Sequence, residues 1–136
     1  MTDLTKGRCL CGAVTYEFTS KPNWTAHCHC ESCRRNTSSP MTSFLGVDRD
    51  KAKFSGEATK VYESSPGVRR HFCGDCGSPV AYDADAYAHE IHFYLAALED
   101  PEKFEPRSHV FAAEQLPWLH LGDDLPKFQG NAEDSD

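Results

Sequence analysis

Seven cysteines fall in three groups within the first 76 residues: Cys9 and Cys11; Cys28, Cys30 and Cys33; Cys73 and Cys76. Seven is odd, so a closed disulfide framework would leave one over. No charged and apolar leader opens the chain, and clustered cysteines outside secretion are metal ligands or catalytic thiols rather than bridges. Cys73-Gly-Asp-Cys76-Gly77 has the form of a zinc knuckle. Two thiols three apart in a tight turn aim at one point, and the glycine after them allows positive φ, so backbone N–H groups turn toward the sulfurs. The same C-x-x-C occurs in dithiol redox sites, but those need a βαβ context that this chain lacks. Cys9-Leu-Cys11 is C-x-C, and on a strand both sulfurs share a face. The simplest closed site is therefore Cys9, Cys11, Cys73 and Cys76 around one zinc, a structural metal worth on the order of 10 kcal/mol to folding.

Cys28-His29-Cys30-Glu-Ser-Cys33 places three more thiols within six residues. Three protein ligands with an open fourth position is the usual form of a catalytic zinc. His27 or His29 could instead close the site and make it structural. On an extended backbone His29, between two ligands, points away from them. A third reading has no second metal, with Cys28 or Cys30 a small buried hydrophobe. Spacing alone leaves these open.

The elements that must position these groups are strands. Leu10, Gly12, Val14, Tyr16 and Phe18 alternate with Cys9, Cys11, Ala13, Thr15 and Glu17, which predicts a half-buried strand with both cysteines opposite its apolar side. Met41 to Val47, Thr59 to Glu63 and Pro79 to Asp83 are further strand candidates. Glu90 to Ala97 alternates Ile91, Phe93 and Leu95 against His92 and Tyr94. Glu31 to Asn36 suits a turn or two of helix, Pro101 to Phe104 one turn at most, and no window predicts a long amphipathic helix. The expectation is a mainly β domain. Its 136 residues make one domain, and 39% hydrophobic with 26% charged residues is ordinary for a soluble globule. No run of 18 apolar residues could span a membrane as a helix. With 14 basic and 21 acidic residues the net charge is −7, which argues against nucleic acid or an anionic membrane as partner. A cytoplasmic location is expected. Gln129 to Asp136 is polar and acidic and reads as a disordered tail.

The order of motifs resembles the glutathione-dependent formaldehyde-activating enzyme family, whose domain superfamily includes centromere protein V. The resemblance rests on Gly7-Arg8-Cys9-Leu-Cys11-Gly12-Ala-Val14, Cys28-His29-Cys30-Glu-Ser-Cys33-Arg34 and Phe72-Cys73-Gly-Asp-Cys76-Gly77. Ser108-His109-Val110-Phe111, Pro117-Trp118 and Leu125-Pro126-Lys127-Phe128 look like the family's C-terminal part. It covers residues 6–128, and all seven cysteines fall in family positions. It implies a β-tent fold of several small coiled antiparallel sheets, stabilised by a structural zinc on Cys9, Cys11, Cys73 and Cys76. It implies a second, more labile zinc on Cys28, Cys30 and Cys33 with an open position. The implied activity is that of a carbon–sulfur lyase acting on an S-hydroxymethylglutathione-like adduct, with a small-molecule thiol such as glutathione as partner.

On that reading the three-thiol zinc acts as a Lewis acid toward a carbonyl or binds a substrate thiol, so Cys28, Cys30 and Cys33 are the expected catalytic centre. Three thiolates weaken its acidity, and nearby cations would offset them. Arg34 and Arg35 follow the third ligand, and Arg69, Arg70 and His71 precede the knuckle; any of these could also hold substrate carboxylates. Alternatively they form a solvated basic patch. His109 and Trp118 either line the substrate mouth or belong to the structure, Trp118 with Phe111 in the core and His109 as a satisfied polar neighbour. Two other functions stay open: a non-catalytic zinc-stabilised module that binds a protein, and a zinc–thiolate redox sensor.

Overall fold

The computed structural model describes residues 4–131. In chain order these form β1 (Thr5–Arg8), β2 (Thr15–Phe18), β3 (Trp24–Cys28), α1 (Glu31–Thr37), β4 (Thr42–Asp48), β5 (Ala52–Ser55), β6 (Thr59–Ser65), β7 (Val68–Cys73), β8 (Pro79–Ala84), β9 (Glu90–Tyr94) and β10 (His109–Val110). The chain is mainly β, as expected. The strands form two sheets: a three-stranded one, β1-β2-β5, and a seven-stranded one, β10-β3-β4-β9-β8-β7-β6. One pair departs from the antiparallel expectation, because β10 runs parallel to β3. A parallel pair needs a long connection, and the chain between β3 and β10 supplies it.

The first predicted strand is shorter than its alternation suggested. Cys9 to Ala13 is a turn, closed by Cys9 N–H donating to Val14 O and Gly12 N–H donating to Cys9 O. Gly12 sits at φ +84°, where extended pairing cannot continue. Val14, Tyr16 and Phe18 are buried as the pattern requires, but Leu10 is 80% exposed. Cys9 and Cys11 therefore converge through a turn and not along one strand face.

Both faces of β4 and β9, at the centre of the large sheet, are covered. Leu45, Val47, Ile91 and Phe93 join Val14, Tyr16 and Phe18 in the main core. There the Tyr16 and Phe93 rings stack at 4.2 Å, and Tyr16 Oη donates to Tyr94 O at 2.9 Å. Each such aromatic, fully buried, contributes roughly 1.5–3 kcal/mol. The alternate residues Phe44 and Tyr94 face the other way and pack with Cys28 and Cys33, flanked by Trp24, Tyr82 and Phe111. This explains why all of β9 is buried, when alternation predicted His92 and Tyr94 outside. The second apolar face is where the three-thiol group sits.

Gln129 to Asn131, where the sequence predicts the start of a tail, are hydrogen-bonded. Phe111 N–H donates to Gly130 O and Ala113 N–H to Gln129 O, and the Asn131 side-chain amide donates to Tyr87 Oη. Residues 132–136, the rest of that expected tail, lie outside the described residues. Among the described residues no helix is long and apolar enough to cross a membrane.

Candidate functional site

Cys9, Cys11, Cys73 and Cys76 offer sulfurs that all lie within 4.8 Å of one another. Cys9 Sγ is 3.7 Å from Cys11 Sγ, and Cys11 Sγ 3.8 Å from Cys73 Sγ. Four sulfurs at about 2.3 Å from a tetrahedral ion stand about 3.8 Å apart, so these spacings fit a thiophilic ion and are far too long for a disulfide. The knuckle turn does what its sequence suggested. Gly77 has φ +79°, and its N–H donates to Cys73 O. Cys73 Sγ accepts from Asp75 N–H, and Cys9 Sγ from Val14 N–H. Ser78 hydrogen-bonds Cys76 Sγ at 3.1 Å and is the first cause holding that thiol down to about 5. Cys9 and Cys73 are buried within the main core, so a metal here would clip the β1–β2 turn to the β7–β8 turn.

Cys28, Cys30 and Cys33 form a second group, again with sulfurs within 4.8 Å of one another. Cys28 ends β3, Cys30 is the N-cap of α1, and Cys33 lies in its first turn. Cys30 Sγ accepts the Cys33 N–H at 3.3 Å, so the cap bond itself brings these two positions together. The helix closes at Ser38, whose left-handed residue lets its N–H donate to Arg34 O. Arg70, on β7, is buried and reaches across to donate from Nη1 to Cys33 Sγ at 3.7 Å. Ser64 Oγ accepts from its Nε at 3.2 Å, and the guanidinium lies over the Tyr82 ring at 5.2 Å. Hydrogen bonds from Cys28 and Cys30 pull the Cys33 thiol down to about 3 against burial, and Arg70 adds to the effect. Cys28 is pushed up by its bonds to the other two thiols and by burial. The group thus favours negative charge on one sulfur, that of Cys33, beside the Arg70 cation. Its donor set is compatible with zinc and leaves one tetrahedral position to another ligand.

Neither histidine joins this group. His29 is fully buried with its ring turned away, as alternation between two ligands requires. Its Nε2 meets His109 Nδ1 at 2.8 Å, and burial followed by the facing His109 holds it down to about 4. His27 pairs with Ser43 Oγ at 2.8 Å and stacks on His109. His109 Nε2 in turn pairs with Asp123 at 3.0 Å.

The three cysteines open on a cavity of about 720 Å³, within the range of small-molecule sites. Trp24, Phe44, Tyr82 and Phe111 supply apolar wall, and Arg70, Glu90 and His92 are among its polar groups. Trp24 can lie across β4 because position 46 is glycine: a Cβ there would fall 2.3 Å from Trp24 Nε1. That Nε1–H donates to Glu90 Oε1 at 3.1 Å. Glu90 also meets His92 Nε2 at 3.1 Å and accepts from Asn23 at 2.8 Å. His92 first, then Asn23 and Trp24, hold its carboxyl down to about 2 against burial.

Of the five basic residues flanking the motifs, Arg70 reaches the thiols. Arg69 and His71 pair with Asp83, at 3.1 and 3.2 Å. Arg35 pairs with Glu31 on the exposed side of α1 at 2.7 Å, and Arg34 Nε is buried without a hydrogen-bond partner. Arg34, Arg35, His109 and Trp118 are not among the cavity-lining residues. His109 is fully buried and pairs with His29 and Asp123. Trp118 is 64% exposed, neither in the core nor at the mouth. Trp24, Phe44, Tyr82, Glu90 and His92 escaped the sequence reading. Only the unusual tryptophan-to-glycine pairing of Trp24 with Gly46 across β3 and β4 could have hinted at them, and that needs the register.

A family model described as glutathione-dependent formaldehyde-activating enzyme matches residues 4–114. A Schizosaccharomyces pombe protein named as an uncharacterized lyase is 31% identical over 77 residues, which span 57% of this chain and 56% of that protein. The crystal structure of a Rhodobacter sphaeroides protein superposes with a TM-score of 0.61 at 22% identity, covering 90% of this chain and 98% of that one. That likeness bears on fold alone.

Proposed function

Because the chain belongs to the glutathione-dependent formaldehyde-activating enzyme family, we propose that it is a zinc-dependent carbon–sulfur lyase acting on adducts of a thiol with an aldehyde. The observation that carries this reading is the three sulfurs within 4.8 Å of one another at the wall of a ligand-sized cavity. A purely structural cluster has no need of such a cavity. In the proposed reaction an S-hydroxymethyl adduct gives thiol and aldehyde: the carbon–sulfur bond breaks, its electron pair stays on sulfur, and the hydroxyl proton ends on the thiol. Condensation is the reverse.

Zinc held by Cys28, Cys30 and Cys33 would supply Lewis acidity toward the aldehyde oxygen and a binding position for the departing sulfur. Arg70 offsets the thiolate charge and fixes Cys33. The Phe44, Tyr94 and Tyr82 rings keep water from the buried side of the group. The Cys9, Cys11, Cys73 and Cys76 group is proposed to hold a separate structural zinc. The yeast relative's name supports lyase chemistry in general, and the thiol adduct is our own extension of it.

Replacing Cys30 with Ser tests this. The variant is expected to lose one zinc equivalent by metal analysis and all formaldehyde release from S-hydroxymethyl thiols, while its circular dichroism is unchanged. Full activity with one zinc missing would overturn the proposal.

A further inference from the structure

A third set of metal-type donors contains no sulfur. His27, His109 and Asp123 offer one ligand atom each, all within 4.8 Å of one another. Strand pairing brings the two rings together. β10 runs parallel to β3 with His109 opposite His27, so both imidazoles stand on one face, stacked at 4.9 Å. His27 Nδ1 is taken by Ser43 Oγ at 2.8 Å, and His109 Nδ1 by His29 Nε2 at 2.8 Å. Each ring is therefore anchored through Nδ1, which leaves Nε2 to ligate. His109 Nε2 meets Asp123 Oδ2 at 3.0 Å, and Asp123 Oδ1 accepts the Leu125 N–H at 3.1 Å. Anchoring at one ring nitrogen and ligation at the other is how proteins hold metal-bound histidines. Nitrogen and oxygen ligands about 2.0–2.1 Å from a tetrahedral ion stand roughly 3.4 Å apart, so the 4.8 Å group has little more than an ångström to close. Asp123 is exposed and His109 fully buried, so an ion enters from the Asp123 side. Lys127, bridged to His109 through the backbone, is exposed to water, and Asp123 is the acid that balances an incoming cation.

We propose that His27, His109 and Asp123 form a third metal site, for zinc or a similar borderline divalent ion, with water in its fourth position. Two imidazoles and a carboxylate suit such an ion. The site stands outside the lyase reading and does not depend on it. An ion there fastens β10 and the segment around Asp123 to β3. Binding also sets the histidine tautomers. Without an ion, His109 Nε2–H donates to ionised Asp123, so His109 Nδ1 accepts from His29 Nε2–H. With an ion, His109 Nε2 gives its lone pair to the metal, so its proton sits on Nδ1 and donates to His29 Nε2. The His29 proton then moves to Nδ1. That Nδ1 is buried without a hydrogen-bond partner, so His109 alone decides the His29 tautomer.

The test compares the full chain with Asp123→Asn, which keeps an oxygen for the His109 and Leu125 bonds but ligates zinc poorly. At equilibrium with the same buffered zinc pool, the parent is expected to hold one zinc per chain more than the variant by mass spectrometry. The cysteines are the same in both, so this difference holds whether or not the three-thiol group is loaded, and failure of the lyase reading leaves it standing. Cobalt(II) added to the parent with its thiol groups zinc-loaded is expected to give a visible d–d band without sulfur-to-metal charge transfer, and no band in the variant. In nuclear magnetic resonance of isotope-labelled imidazoles, the His29 proton is expected on Nε2 before this ion binds and on Nδ1 after. Equal zinc counts in parent and variant, sulfur charge transfer as the sole cobalt signal, or a His29 tautomer indifferent to zinc would each overturn the inference.

Discussion

Losing a cysteine should have opposite consequences in the two groups. The Cys9, Cys11, Cys73 and Cys76 cluster joins positions 62 residues apart in the chain, whereas Cys28 and Cys33 are five apart. Closing the longer loop costs more chain entropy by (3/2)RT ln(62/5), about 2 kcal/mol, and a metal that holds it closed returns that to the folded state. Structural zinc is worth on the order of 10 kcal/mol in apparent terms, comparable to the whole stability of a domain at roughly 5–15 kcal/mol. Cys73 is also completely buried in the main core, so a serine there leaves a hydroxyl in an apolar site. Cys73→Ser should therefore be largely unfolded at 25 °C. Cys30 differs on each count. It is half-buried, it joins only neighbouring chain, and its sulfur caps α1, a task that a serine oxygen performs well. Cys30→Ser should stay folded, within about 1–2 kcal/mol of the parent, with one zinc fewer. The assay is urea unfolding followed by circular dichroism, with zinc counted by mass spectrometry on the same samples. A Cys73→Ser protein that unfolds at the parent's urea midpoint, or a Cys30→Ser protein that does not fold, would refute the assignment of a structural and a labile site.

Three further outcomes follow from single contacts. Arg70→Ala removes the cation on Cys33, and metal at the three-thiol group should be lost about 10- to 100-fold more readily to a competing chelator, with the four-thiol zinc unaffected; equal retention would remove Arg70 from the site. Gly46→Ala drives a methyl into Trp24, which should cost about 1–3 kcal/mol and redshift the Trp24 emission as the ring leaves Glu90, a change absent from a Trp24→Phe background. Glu90 is held at about 2, below its unfolded value, so its contribution is present above about pH 4.5 and fades as pH falls toward 2. Glu90→Gln should be less stable than the parent by about 2–3 kcal/mol at pH 7, with the gap narrowing in acid; a gap constant with pH would show that the carboxylate charge is not what the network holds.

Much of the cysteine grouping was legible because it is local. A knuckle needs two cysteines and a glycine at set spacing, and Cys73 to Gly77 carries all three. The helix after Cys30 could be read from Glu31 to Asn36 for the same reason. The strands were less legible wherever both faces are covered. Alternation in β9 put His92 and Tyr94 outside, because a period of two reports a half-buried strand and this one is buried on both sides. β7 was missed since Arg69, Arg70 and His71 look like solvated surface, yet consecutive residues on a strand face opposite ways. Arg70 turns toward the thiols and Arg69 toward Asp83.

The sequence by itself therefore determined the two cysteine groups, of four and of three, and the mainly β class, since each depends on residues close together in the chain. Only the tertiary structure decided what surrounds the three thiols. Trp24, Phe44, Arg70, Tyr82 and His92 come from β3, β4, β7, β8 and β9, and they meet because strand register sets which side chains share a face. Register is a property of pairing between distant segments, which no local spacing encodes.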